Sequence, residues 1–464
     1  MSRYDALIIG AGMSGLACGI RLAMFDKKVC ILESHTIAGG LNSYYQRRSR
    51  VNKEIIKFDV GLHALTNFVK KGTKRAPLTK LLKQLRFQYN DLKLQEQSHS
   101  LIKFDNTQLK FTNDFEVLKL EVSEKFPSEI DGFIKLVNAV NEFNELDLSN
   151  SEYTSSRDVL KNFINDELLV EMLLCPLLIY GSAWEHDMDF SQFVIMFKSL
   201  YFEGFSRPEG GVRTIINLLE TKFKELGGEL KYRHGVQEIL TKDDKVVGLR
   251  TKKGDFFSDV IFSSAGLPET MSLIEENKAK YEVGKMTFME SIAVLDRPID
   301  PKDFDATIMF YNNGPKYHYE GAKDFFDPRS AVICVPDNYQ GNNDPYGVVR
   351  ITYMANYEKF NALSKEEYNQ TKDLAFDKAM ELVKSQFNNF DYNIILKDTF
   401  TPTTIKHYTQ HFRGTVYGSP QKIKNGKTPY EGLYIIGTDQ GFLGIVGSIL
   451  SGISLGNLYG LMQE

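Results

Sequence analysis

The chain opens on an apolar run, Ala6-Leu7-Ile8-Ile9, followed by Gly10-Ala11-Gly12-Met13-Ser14-Gly15 and an apolar pattern of helical period to about Phe25. A second apolar run, Val29 to Leu32, ends on Glu33. Short apolar runs bounded by turn residues read as buried strands, so the pattern predicts strand, tight turn, helix, strand. Small residues at Gly15, Gly19 and Ala23 share one face of that helix. Farther on, 212–226 carries Ile215, Ile216, Leu218, Leu219 and Phe223 at helical spacing, and Gly227-Gly228 marks its stop. Short strands are expected at 229–232, 237–240, 246–251 and 260–263. Near the end, 433–437 reads as a strand, followed by Asp439, a glycine loop and a helix from near Ile445.

Three segments are unusually apolar. Residues 168–184 and 190–205 are so rich in aliphatic and aromatic side chains that they must form core, line an apolar channel or touch lipid. Residues 441–462 carry no charge and are long enough to cross a bilayer. Glycines at 441, 444, 447, 452, 456 and 460 argue instead for a helix whose backbone presses against a ligand or a sheet.

The opening turn carries chemistry. Gly10 permits a tight turn, Gly12 lets the backbone approach a pyrophosphate, and Gly15 brings helix and strand together. The N–H groups and dipole at the start of the helix then face the phosphates. Glu33, at the end of the second strand, is placed to accept hydrogen bonds from a ribose diol and to repel a 2′-phosphate. A bound dinucleotide is the expectation.

Beyond this unit come Gly39-Gly40-Leu41-Asn42-Ser43, then Phe58-Asp59-Val60-Gly61-Leu62-His63-Ala64-Leu65, Pro208-Glu209-Gly210-Gly211, and Leu433-Tyr434-Ile435-Ile436-Gly437-Thr438-Asp439. In order and spacing these motifs resemble the FAD-dependent phytoene desaturase, carotene isomerase and retinol saturase group of the amine-oxidase-like flavoproteins. Many desaturases carry Arg after the Gly-Gly pair, where this chain has Leu41, which places it toward the saturase and isomerase side. The resemblance implies noncovalent FAD held by Gly10, Gly12, Met13, Ser14, Gly15, Glu33, Gly39, Gly40, Leu41, Asn42, His63, Val236, Gly437, Asp439, Gly444, Ile445 and Val446. His63, Tyr180 and Tyr417 are the candidate catalytic groups, with packing roles equally open to them.

The fold expected is α/β: a discontinuous Rossmann-type FAD-binding domain (1–70, 205–270, 400–464) with a mixed α+β substrate domain (71–204, 271–399). Hydrophobic residues at 42% and charged ones at 25% rule out a mostly disordered chain. A formal net charge of −4 over 464 residues gives no electrostatic case for nucleic acid. Cys18, Cys30, Cys175 and Cys334 form no CxxC pair, so thiols in a reducing compartment are expected. No basic and apolar leader precedes the first strand, which argues against secretion. His407 and His411, bracketed by Pro402 and Gly414, lack an obvious third ligand, and no metal is expected.

The resemblance implies hydride exchange between the flavin and a long, apolar, unsaturated isoprenoid, by desaturation, saturation or isomerisation, with the electron donor or acceptor unspecified. The protein is expected in the cytoplasm, touching membrane peripherally through a patch around 168–205. Two other functions fit the same pattern: an amine or porphyrinogen oxidase, and a prenyl or lipid escort protein of the same fold, as in the Rab GDP-dissociation inhibitors.

Overall fold

The computed structural model describes residues 3–49, 53–61, 63–144, 152–274 and 280–462; Leu62, within the 58–65 motif, lies outside them. The fold is α/β, with a parallel Rossmann-like sheet and a separate mixed sheet. The parallel sheet runs Leu433–Ile435, Ile261–Ser263, Ala6–Ile9, Val29–Leu32, Glu229–Lys231. Every neighbouring pair in it is parallel, with Ile8 between Phe262 and Ile31. Strands covered on both faces have no polar side to show, which is why these segments read as unbroken apolar runs.

One face of the sheet is covered by the antiparallel strands Val236–Lys242, Lys245–Thr251 and Gly254–Phe257, which pack Ile239, Val246 and Leu249 on Leu7, Ile9 and Cys30. The other face carries the helices Met13–Ala23, Val212–Glu225 and Gly444–Leu455. Gly19 fits there because a Cβ would lie 2.9 Å from both Ile31 and Phe223. The glycine-rich last helix is a core element: Gly444 at its start lines a pocket, and the glycines at 452, 456 and 460 press on the first helix. A Cβ at Gly452 would lie 2.1 Å from the Ser14 carbonyl, one at Gly456 3.3 Å from Cys18 Sγ, and one at Gly460 2.4 Å from Leu22.

The helix Pro77–Leu85 belongs to the same core, through Leu78, Leu81, Leu82 and Leu85. The first segment of the Rossmann body therefore runs past the boundary expected at residue 70. These leucines recur at the spacing of one helix face, and that face meets the first and last helices.

The mixed sheet runs Ile394–Phe400, Phe288–Leu295, Val348–Ala355, Phe326–Cys334, Ile308–Asn312, Ser100–Phe104, Thr107–Phe111. Helix Lys365–Gln386 covers one face, and helices within 115–205 gather on the other. Most of the apolar 168–205 region is core. Helix Glu167–Gly181 buries Leu169 through Ile179, and Phe197 and Tyr201 are 0% and 1% exposed. A helix apolar all round is one enclosed all round, and both of these are sheathed by phenylalanine and leucine side chains. All four cysteines are buried and free.

Candidate functional site

A cavity of about 560 Å3 opens where the parallel strands end. It is lined by Gly10, Gly12, Met13, Ser14, Glu33, Gly39, Gly40, Leu41, Asn42, Val236, Gly437 and Asp439. The structure thus brings together residues drawn from all three separated stretches of the chain. Gly15 stands behind the wall: its Cβ would lie 2.1 Å from the Gly10 carbonyl, so it serves the helix–strand contact. Val446 is also outside the lining, buried among the helices.

Local structure explains the turn. Gly10 has φ +90°, a conformation that favours glycine. At Gly12 a Cβ would meet nothing within 4 Å, so residue 12 leaves open a space that any side chain would fill. The helix that follows, Met13–Ala23, has no side-chain cap. Its first N–H groups are therefore available to an anion in the cavity. The Glu33 carboxylate is fixed by the backbone N–H groups of Ala11 and His35, each at 2.7 Å. The donors, the open space at Gly12 and the oriented carboxylate fit a dinucleotide.

Asp439, in the cavity lining, is also bound to the protein itself. It is 1% exposed and accepts from the Leu267 N–H at 2.6 Å, the Ser419 N–H at 2.9 Å and Lys422 Nζ at 3.1 Å. Its oxygens tie the last strand to two other segments, which makes it a structural anchor in the cavity wall. Burial pulls the Lys422 ammonium below its usual pKa, with Asp439 opposing.

A second, smaller pocket of about 170 Å3 shares Leu41, Asn42, Thr438 and Ser448 with the first. His63, Tyr180 and Tyr417 all line it, together with Gly444 and Ile445 at the uncapped start of the last helix. Ile179, Met196, Phe288, Phe400, Val416 and Leu443 make its walls mostly apolar.

His63 is held at both ends. Its carbonyl accepts from the Tyr339 hydroxyl at 2.8 Å, and its Nε2 lies 2.9 Å from Thr352 Oγ1 and 3.4 Å from Glu290 Oε2. Thr352 donates its hydroxyl proton to Glu290 at 3.1 Å, so the threonine oxygen accepts from His63 Nε2–H. The network assigns the proton to Nε2 and leaves Nδ1 unprotonated, with no hydrogen-bond partner among the described residues. Burial lowers the His63 pKa, against the pull of Glu290, so the ring is neutral near pH 7. Burial pushes Glu290 up, but Arg350 and His63 outweigh it and hold the carboxyl at about 2.

The two tyrosines differ. Tyr180 stacks on His63 with ring centroids 6.1 Å apart, and its hydroxyl is buried without a hydrogen-bond partner. Tyr417 donates its hydroxyl to the Ile179 carbonyl, so that proton is engaged in holding the pocket wall. Burial raises both phenols above their ordinary pKa.

Sequence reasoning missed Glu290, Thr352 and Arg350. Glu290 and Thr352 are register partners on adjacent antiparallel strands, and Arg350 sits two residues from Thr352. The available signal was a lone charge inside each of two otherwise apolar strands, Glu290 in Phe288–Leu295 and Arg350 in Val348–Ala355. Among the described residues no group of three or more His, Cys, Asp or Glu side chains is arranged to hold a metal.

Residues 8–85 match the family model of the NAD(P)-binding Rossmann-like domain. Over 94% of its length the chain is similar to prolycopene isomerase 2, chloroplastic, of an Oncidium hybrid cultivar, at 24% identity and covering 80% of that protein. Over 98% of its length it is similar to all-trans-retinol 13,14-reductase of Danio rerio, at 22% identity and covering 85% of that protein. Among solved structures, an oxidoreductase from Methanosarcina mazei superposes with a TM-score of 0.65 at 16% identity, covering 97% of this chain and 99% of that one. That likeness is one of fold.

Proposed function

Given that the chain is a distant member of the carotenoid isomerase, desaturase and retinol-saturase-like group of FAD/NAD(P)-binding oxidoreductases, we propose that it is an FAD-dependent enzyme acting on a long, apolar, unsaturated isoprenoid. The observation that carries this reading is the adjacency of the two cavities: a cavity fit for a dinucleotide shares Leu41, Asn42, Thr438 and Ser448 with a mostly apolar pocket that His63 lines. Bound there, FAD would supply hydride exchange with carbon.

The residues divide the work. The Gly10–Gly12 turn and the uncapped helix after it hold the pyrophosphate, while Glu33 accepts from the ribose diol and disfavours a 2′-phosphate. The second uncapped helix start, at Gly444, puts positive potential on the second pocket. Phe288, Ile179, Val416 and Leu443 exclude water, so charge changes in the pocket are felt strongly. His63 Nδ1 accepts a proton or a hydrogen bond from the bound chain, and Glu290 and Thr352 keep that nitrogen free.

A 170 Å3 pocket accepts only a segment of a long substrate. It shares Leu41, Val60, Phe400 and Ile405 with a cleft of about 390 Å3 toward Tyr44 and Lys372, which gives the rest of an extended molecule a place to lie. The test is anaerobic incubation of the flavin-loaded protein with a panel of carotenoids and retinoids, reading flavin bleaching and the double-bond count and geometry of the product together. Turnover of a polyene supports the proposal. Peroxide release on an amine or a porphyrinogen, with no effect on polyenes, overturns the substrate class, and a protein that binds isoprenoid but never flavin overturns the enzyme.

A further inference from the structure

One pair of ionisable side chains in the large cavity has no part in the reading above. Helix Leu267–Met271 places Glu269, 7% exposed, against the loop that carries His411. Glu269 Oε1 accepts from the Phe412 N–H at 2.7 Å and lies 3.5 Å from His411 Nδ1. Its other oxygen, Oε2, is buried without a hydrogen-bond partner, which a carboxylate tolerates only where a donor is supplied. The loop is set by two non-glycine residues in the left-handed region, Gln410 with φ +64° and Arg413 with φ +57°, one on each side of His411. Both Glu269 and His411 line the cavity, and neither ring nitrogen of His411 makes a hydrogen bond among the described residues, Nδ1 standing at ion-pair distance from Glu269.

Charge completes the picture. Besides His411, the cavity wall carries three carboxylates, Glu33, Glu269 and Asp439, and a phosphate-bearing guest needs cations to offset them. Arg233 and Lys252 lie beside Val236 in the lining, and Lys422 is already bound to Asp439. Burial works to lower the His411 pKa, but Glu269 and then Asp439 outweigh burial and the opposing Lys422, so the imidazole stays protonated to higher pH than an ordinary histidine.

We propose that His411, paired with Glu269, is a binding residue for the anionic oxygens of the dinucleotide, donating from Nε2 to its pyrophosphate. The proposal rests on the reading that the cavity takes a dinucleotide. The pyrophosphate is the charged part of such a molecule and the part a cationic imidazole selects. Glu269 lies at ion-pair distance on the Nδ1 side and favours the charged imidazole, whose Nε2–H is then the donor to the guest.

The experiment titrates flavin-free protein with FAD, ADP and riboflavin between pH 6 and 9, by calorimetry and by quenching of flavin fluorescence. In wild type, affinity for FAD and ADP is expected to fall as pH rises through the elevated His411 pKa. His411→Gln should weaken FAD and ADP in parallel, by about tenfold or more near pH 6.5, flatten the pH dependence, and leave riboflavin unchanged. Equal FAD and ADP affinities in variant and wild type overturn the proposal, as does a loss shared equally by riboflavin. If His411→Gln does not fold by circular dichroism, Glu269→Gln reads the same contact: its pH midpoint for ADP binding should move down, and an unmoved midpoint overturns the proposal. A wild type that binds ADP but not FAD removes the flavin assignment and leaves this contact standing, whereas one that binds neither removes both.

Discussion

The Asp59 carboxylate occupies the place where residue 211 would carry a side chain. A Cβ built on Gly211 would lie 2.2 Å from Asp59 Oδ2, and Gly211 itself sits at φ +81°. Through that contact Asp59 accepts from the Val212 N–H at 3.2 Å, pairs with Arg207, and lies 3.7 Å from Arg213. Two motifs about 150 positions apart are thereby one structural unit, a carboxylate at the start of helix Val212–Glu225 supplied by the strand Ile55–Asp59.

Asp59→Asn should therefore destabilise the fold by about 3 kcal/mol, because it leaves Arg207 and Arg213 facing a neutral group in a largely buried site. Gly211→Ala should cost a similar amount, from collision and from a strained φ. Urea unfolding followed by circular dichroism checks both, and wild-type midpoints for the pair would refute the coupling.

Glycines of the first turn and of the last helix should behave differently. Gly12→Ala meets open space and should leave the melting temperature unchanged, while lowering affinity for FAD or ADP because the methyl group enters the cavity. Gly452→Ala drives a methyl group to 2.1 Å from the Ser14 carbonyl and should cost about 1–3 kcal/mol of stability. Thermal melts and nucleotide titrations on the same preparations distinguish these outcomes.

Stability should fall in acid through Glu290. Its folded pKa of about 2 lies below the ordinary value of 4.5, so its contribution is fully present above pH 4.5 and is lost as pH drops toward 2. His63 adds to the slope with the same sign, since its folded pKa is depressed below 6.5 and the unfolded chain takes up the proton first. Glu290→Gln should flatten the low-pH limb of a stability profile measured by denaturant titration.

Tyr180→Phe and Tyr417→Phe should part company. The Tyr180 hydroxyl is buried and unpartnered, so its removal should leave stability unchanged or slightly higher, and any fall in kcat then reports a role in the pocket. Removing the Tyr417 hydroxyl strands the Ile179 carbonyl and should cost about 1 kcal/mol. Melting temperature and turnover measured on both variants test the distinction.

The dinucleotide end was legible because each of its requirements leaves a local trace. Gly10 and Gly12 are needed by the turn, Glu33 ends a strand, and an apolar run four residues long can only be buried. The second pocket was legible only as far as His63, Tyr180 and Tyr417, named through family resemblance. Its polar machinery comes from strands more than 200 residues beyond His63, and Glu290 and Thr352 meet only when their two strands pair. Spacing along the chain carries no record of that register. The partners that hold Asp439 in the cavity wall, Leu267, Ser419 and Lys422, were not legible for a related reason, since they come from other segments of the chain. In the apolar 168–205 region composition marks dry positions but does not separate those that pack in the core from Ile179, Tyr180 and Met196, which line the second pocket.

The parallel sheet pairs Ile261–Ser263 on one side with Ala6–Ile9 and on the other with Leu433–Ile435, and the helix after that last strand packs along the first helix of the chain. A ribosome releases the glycine-rich turn more than 400 residues before it releases the segment that roofs it. Until then the nascent Rossmann unit shows an uncovered helix face, which makes this stretch of synthesis the interval in which a chaperone, or an early-arriving nucleotide, has most to protect.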